Sequence, residues 1–266
     1  MRYTILLLTL WMAVNIQAQD PSEWYVQVDY MKPYEGKSAD YVAMEQEVYK
    51  PIHRERIKSG EIIAWYLYQV RYPSGSGTEY DYCTVTVFSN FASIDDNIEE
   101  YGSVVLRAHP DKTLEQVEKY ATDTRELVRS DVFKSVANIP ERVETPAQSI
   151  LVDYMKVEPS QESHYLRMEE QIWKPLHSER LARGVITDWG LYELLFPGGL
   201  NYPYTHCTVT GFKQWQDISD SWPDDIWKAV HPSATQEDLE ERAHEVRDLV
   251  SSQIWKLIDH VRLSDL

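Results

Sequence analysis

Val28-Asp29-Tyr30-Met31-Lys32 is written a second time as Val152-Asp153-Tyr154-Met155-Lys156, 124 positions later. At that offset, 26 of the 61 residues from Val28 to Phe88 are identical without a gap. The match takes in Lys50-Pro51-x-His53-x-Glu55-Arg56 against Lys174-Pro175-x-His177-x-Glu179-Arg180. It also takes in Cys83-Thr84-Val85-Thr86 against Cys207-Thr208-Val209-Thr210. Farther on the offset becomes 122: His109-Pro110 meets His231-Pro232, and 11 of the 26 residues from His109 to Lys134 are identical. The period is far longer than that of a solenoid, so each copy reads as a small domain. The expected division is 1–18 targeting segment, 19–140 first copy, 141–148 linker and 149–266 second copy. At the join, Ile139 to Pro146, Pro140 and Pro146 bracket charged residues.

Within each copy the punctuation gives one order of elements. A strand, Trp24–Lys32 or Ser149–Lys156, opens it. A helix follows from Ser38 to Ser59, stopped by Gly60 and, in the twin, by Gly184. Pro51 and Pro175 predict a kink or a restart inside that helix. Two strands, Ile62–Tyr72 and Tyr80–Phe88, flank the turn Pro73-Ser74-Gly75-Ser76-Gly77; the twin turns at Pro197-Gly198-Gly199. A helical region from Ala92 to Arg129 breaks at His109-Pro110, with Thr113 as N-cap of its second part. Asp131–Ile139 closes the copy as a strand.

The order β-α-β-β-α-β is the ferredoxin-like unit. By element order and duplication, the chain resembles the dimeric α+β barrel superfamily, which includes antibiotic-biosynthesis-monooxygenase-like and NIPSNAP-like proteins. The resemblance implies an α+β fold: two tandem ferredoxin-like units with their sheets facing each other as a pseudo-two-fold barrel, and hence a monomer with an internal pseudo-dimer. Members of that superfamily range from cofactor-free oxygenases and haem enzymes to non-enzymatic proteins, and no catalytic motif of one family is matched here.

Composition narrows the function. The 266 residues carry 26 Lys and Arg against 43 Asp and Glu, a net charge of −17, which repels nucleic-acid backbones and anionic lipid. The 10 glycines form neither standard phosphate-binding loop. Arg2, the apolar run Tyr3–Val14 and the small residue Ala18 have the layout of a secretory signal peptide cleaved near Ala18. The expected product is soluble and exported, periplasmic or extracellular, with no membrane span. Metal spacings such as His-x-x-x-His or Cys-x-x-Cys are absent, and no histidine is singled out for haem, so no cofactor is expected. The repeat-equivalent Cys83 and Cys207 are expected beneath their own helices, unbridged.

Two sets of residues offer a site for a small, partly apolar ligand. Period two puts Cys83, Val85 and Val87 on one face of the third strand, with Tyr80, Tyr82, Thr84 and Thr86 on the other. Tyr204, His206, Thr208 and Thr210 repeat the second face. With the small apolar face under the helices, the hydroxyl face looks into the cleft between the sheets, joined there by Tyr68, Tyr192 and Asp153. Tyr82 becoming His206 and Tyr66 becoming Gly190 would give the second half more room and a titratable group. On the first helix, Glu45, Tyr49, His53 and Arg56 share a face, as do Glu169, Trp173, His177 and Arg180. His206, Asp153 and His177 are the candidate acid–base residues; His53, Arg56 and Arg180 are candidate ligand contacts. The same residues could instead make a satisfied interface and a salt-bridge ladder. A non-catalytic binding or structural protein of the cell envelope, for instance for nutrient or polysaccharide fragments, is the alternative. Trp24, Trp215, Trp222, Trp227 and Trp255 lie in or near apolar-periodic segments, and most of them are expected in the core.

Overall fold

A computed structural model describes residues 24–95, 98–140 and 144–266. The expected signal peptide and part of the expected linker lie outside them. Strand β1 (Tyr25–Pro33) leads into α1 (Ser38–Met44), a π-helical turn (Glu45–Tyr49) and α2 (Lys50–Lys58). The π turn sits where the proline was expected to break the helix. Pro51 has no N–H to give and crowds the preceding turn, which widens instead of stopping. Then come β2 (Ala64–Tyr72), β3 (Tyr82–Phe88), α3 (Ile98–Ala108), α4 (Leu114–Thr124) and β4 (Arg125–Ile139). Thr113 caps α4 in a reciprocal box with Gln116. The helix ends earlier than Arg129, and β4 begins at once.

The second copy repeats the order: β5 (Ser149–Lys156), α5 (Glu162–Met168), a π turn (Glu169–Trp173), α6 (Lys174–Ala182), β6 (Asp188–Phe196), β7 (His206–Phe212), α7 (Ile226–Val230), α8 (Gln236–Val246) and β8 (Asp248–Arg262). All eight strands close one antiparallel barrel in the order β1-β3-β2-β8-β5-β7-β6-β4. The strands of 15 residues, β4 and β8, join the copies. β4 pairs with β1 over Arg125–Lys134 and with β6 over Val132–Ile139. β8 pairs with β5 over Asp248–Lys256 and with β2 over Ile254–Arg262. The helices cover the outside of the barrel.

The two faces of β3 and β7 are the reverse of the expectation. Cys83, Val85, Val87, Cys207 and Val209 point into the barrel, among Val28, Tyr30, Tyr68, Val152, Tyr154, Phe133 and Trp255. Tyr82 and Phe88 lie under the helices against Tyr41, Met44 and Trp65, and the alternation carries Thr84 and Thr86 with them. Small side chains on β3 and β7 leave room for the tyrosines and the tryptophan that fill an eight-stranded barrel. The cysteines are free and buried as expected, but inside the barrel rather than beneath the helices.

Candidate functional site

The space between the sheets is filled by the chain itself. Tyr30 and Tyr154, both almost completely buried, meet hydroxyl to hydroxyl at 2.9 Å. The Tyr80 hydroxyl and the Trp255 indole N–H bond to the Gln253 side chain, at 3.0 and 2.9 Å. The fully buried Asp131 accepts hydrogen bonds from the hydroxyls of Tyr202 and Tyr204. Arg129 lies over the Tyr30 ring, 4.0 Å from its centre. Tyr80 and Tyr204 precede their strands, so the alternation that placed them with Tyr82 and His206 does not extend to them. Tyr68 and Tyr192 also face inward. The space opposite Gly190 is not open: a side chain there would meet Asn138 at 2.7 Å and Tyr192 at 2.8 Å. These predicted ligand contacts, Tyr68, Tyr80, Tyr192 and Tyr204, are barrel core.

The remaining predicted residues gather between helices and sheet, in two separate layers, one per copy. In the second layer, Asp153 accepts from the Ser252 hydroxyl. Burial raises its pKa, while Ser252, Arg247 and Arg180 act to lower it. Glu169, on the π turn, is 3% exposed, and burial pushes its carboxyl up to about 7, with Arg247 and the Tyr165 hydroxyl opposing. His177 stacks on Trp189 with ring centres 4.8 Å apart. Its Nδ1 accepts from the Arg180 guanidinium at 2.8 Å, so the ring is neutral, its pKa driven well below 6.5 by burial first and by Arg180 second. Arg180 also donates to the Ser221 carbonyl at 2.7 Å and lies over the Trp222 ring. The first layer repeats the pattern. Asp29 accepts from Ser130 at 2.6 Å, Glu45 is pushed up to about 7 by burial, and His53 stacks on Trp65 at 5.0 Å. There Arg56 bonds to Glu61 at 2.6 Å.

The expected acid–base pairing of His206 with Asp153 is not made. Asp153 faces Thr208 across the ladder, and His206 lies two residues along, opposite Met155. His206 has its Nδ1 3.0 Å from the Thr205 hydroxyl and its ring edge-on to Tyr165. Burial alone lowers its pKa, to about 4, without a contribution from Asp153. Thr208 and Thr210 are buried in the same layer. The imidazoles of both layers pack on Trp65, Trp189 and Tyr165, so the layers do not fit a haem. Among the described residues, no group of three or more His, Cys, Asp or Glu could hold a metal ion. His109 and His231 have a structural role. Each reaches back to the π turn of its own copy, Nε2 donating to the carbonyl of Val48 at 2.9 Å or of Ile172 at 3.1 Å.

One open cavity was missed by the sequence reading. A groove of about 430 Å³ runs between α5, its π turn and α8 of the second copy. Met168, Ile172 and Val246 are its apolar lining, and Arg167, Arg242 and His164 stand at its polar rim. Apart from Met168, which repeats Met44, the groove residues differ between the copies. Arg167 stands where the first copy has Ala43, Arg242 where it has Tyr120, and His164 where it has Asp40. The legible signal was thus a change of charge between the copies, whereas the reading had followed identities. Of the tryptophans expected in the core, Trp227 and Trp255 are buried, whereas Trp215 and Trp222 are 44% and 38% exposed.

No protein-family model and no curated protein sequence matches the chain. Solved structures do. A candidate monooxygenase from Fusobacterium nucleatum superposes with a TM-score of 0.57 at 7% identity, over 92% of this chain and 96% of that one. A candidate monooxygenase from Lactobacillus acidophilus gives 0.53 at 10% identity, over 91% and 97%. A candidate chlorite dismutase gives 0.50 at 12% identity, over 89% and 95%. The chain has the dimeric α+β barrel fold. Identities this low carry the architecture and not the activity.

Proposed function

We propose that this chain binds a small, partly apolar organic molecule in the groove of its second copy, between α5 and α8. The observation that supports this reading is the groove itself. Its volume of about 430 Å³ suits a small ligand, and it combines an apolar lining with a few polar groups at the rim. The barrel interior is packed by Tyr30, Tyr154 and Trp255. The test is a filling substitution, Val246→Trp, on a half-buried residue of the groove. Ligands found by a thermal-shift screen of small organic molecules should lose their effect in the variant while its own melting temperature stays close to wild type. Ligands that bind the variant equally well would place the site elsewhere.

We also place the protein outside the cytoplasm, on the strength of Arg2, the run to Val14 and Ala18, which N-terminal sequencing of the cellular protein tests. A monomer is the expected state, since the two fused copies already close the barrel; light scattering tests it. No helix of the described residues is long and apolar enough to cross a membrane.

A further inference from the structure

The two copies differ in charge at the groove. In the first copy the matching positions are Lys37, Asp40, Ala43, Glu47, Tyr120 and Asp123: one cation and three anions. Lys37 is there neutralised by Asp40 at 2.7 Å, and Asp123 pairs with Lys119. In the second copy Asp40, Ala43 and Tyr120 are replaced by His164, Arg167 and Arg242, and Lys37 and Glu47 by the neutral Gln161 and Gln171. Glu245 is the remaining acid of the groove. The reversal occurs in a chain of net charge −17, where a random surface position is more often acidic than basic.

Arg167 and Arg242 come from different helices, α5 and α8, and flank one apolar lining. Neither makes a hydrogen bond or close ion pair among the described residues, although Arg242 lies near enough to Asp238 to help lower its pKa; Arg183, just past the end of α6, engages both Glu179 and Asp225 at 2.8 Å. Two planar guanidinium forks over an apolar strip match a carboxylate carried on an apolar body. We infer that the ligand of the groove is an organic carboxylate, its charged end held by Arg167 and Arg242 and its apolar body laid on Met168, Ile172 and Val246. This inference rests on the groove being the binding site.

The probes are 2-naphthoate and 2-naphthol, which share a ring system and differ in charge. Binding is read from the methyl resonance of Met168 in protein labelled with ¹³C-methyl methionine. Naphthoate should bind at least about tenfold more tightly than naphthol. Arg167→Ala and Arg242→Tyr restore the first copy's residues at exposed positions, so both variants should keep the wild-type melting temperature. Together they should abolish the preference for naphthoate and leave naphthol unchanged. Equal affinity of the two probes, with Met168 perturbed by both, would overturn the carboxylate inference and leave the groove reading standing. A Met168 resonance that neither probe moves would overturn both.

Discussion

Replacing Glu169 by Gln should make the protein more stable at neutral and alkaline pH, by an amount that grows along a defined titration. Glu169 is 3% exposed, and burial lifts its carboxyl from an ordinary 4.5 to about 7. Below pH 4.5 the folded and unfolded chains both hold the proton, and Gln mimics the acid. Between 4.5 and 7 the unfolded chain releases its proton while the native chain keeps it, so wild-type stability falls by about 1.4 kcal/mol per pH unit. Above 7 the loss is complete, about 3 kcal/mol, which Gln does not suffer. For a chain of this size that is roughly 6–12 °C in melting temperature. His206 works in the opposite direction. Its pKa, lowered to about 4, gives stability that is present above 6.5 and lost as pH falls. Glu45, raised like Glu169, and His53 and His177, lowered like His206, change stability over the same pH range, so only the difference between variant and wild type isolates Glu169. Melting temperatures of both proteins from pH 4 to 8.5 measure it. A difference independent of pH, or a variant less stable at pH 8, would refute the reasoning. Glu169 would then be ionised in the native state and held by Arg247.

Three further outcomes follow from other parts of the molecule. Tyr30→Phe and Tyr154→Phe should each cost about 1–3 kcal/mol by stranding a buried hydroxyl, while the double variant should cost less than the sum; additive costs in denaturant titrations would mean the two hydroxyls do not depend on each other. His231→Ala should lower stability by about 1–2 kcal/mol through loss of the bond to the Ile172 carbonyl, with faster hydrogen exchange across the π turn; unchanged exchange there would show that the imidazole does not hold that turn. Burial raises the Cys83 and Cys207 thiols well above their usual range, so at pH 8 neither should react with a disulfide reagent until the chain is unfolded; rapid labelling of the native protein would contradict their place inside the barrel.

The duplication made the architecture legible. Repeated residues such as Val28-Asp29-Tyr30 mark matched strands, and Pro51 and Thr113 mark the π turn and a cap through local chemistry alone. The side of the sheet that the helices cover was not legible. Period two separates Cys83 from Thr84 but does not say which faces inward. The outcome depends on volumes contributed by distant strands, Tyr30, Tyr154 and Trp255 among them. The site reading failed for the same reason: residues kept in both copies, such as His53 and His177, are held by packing on Trp65 and Trp189. The groove lies where the copies diverge.

Strand β8 has a consequence in time. It is the last strand in chain order, yet it lies between β2 and β5, one from each copy. A nascent chain can assemble β4-β1-β3-β2 early but must wait, with the β2 edge bare, until its final strand is made. A bare edge invites pairing with another chain. The pairings β2 with β8 and β4 with β6 are the same contact made twice, because β6 and β8 are the counterparts of β2 and β4. A first copy made without the second would therefore carry both halves of that contact. Two such copies could close a barrel around each other, as a pair of identical subunits in place of one fused chain.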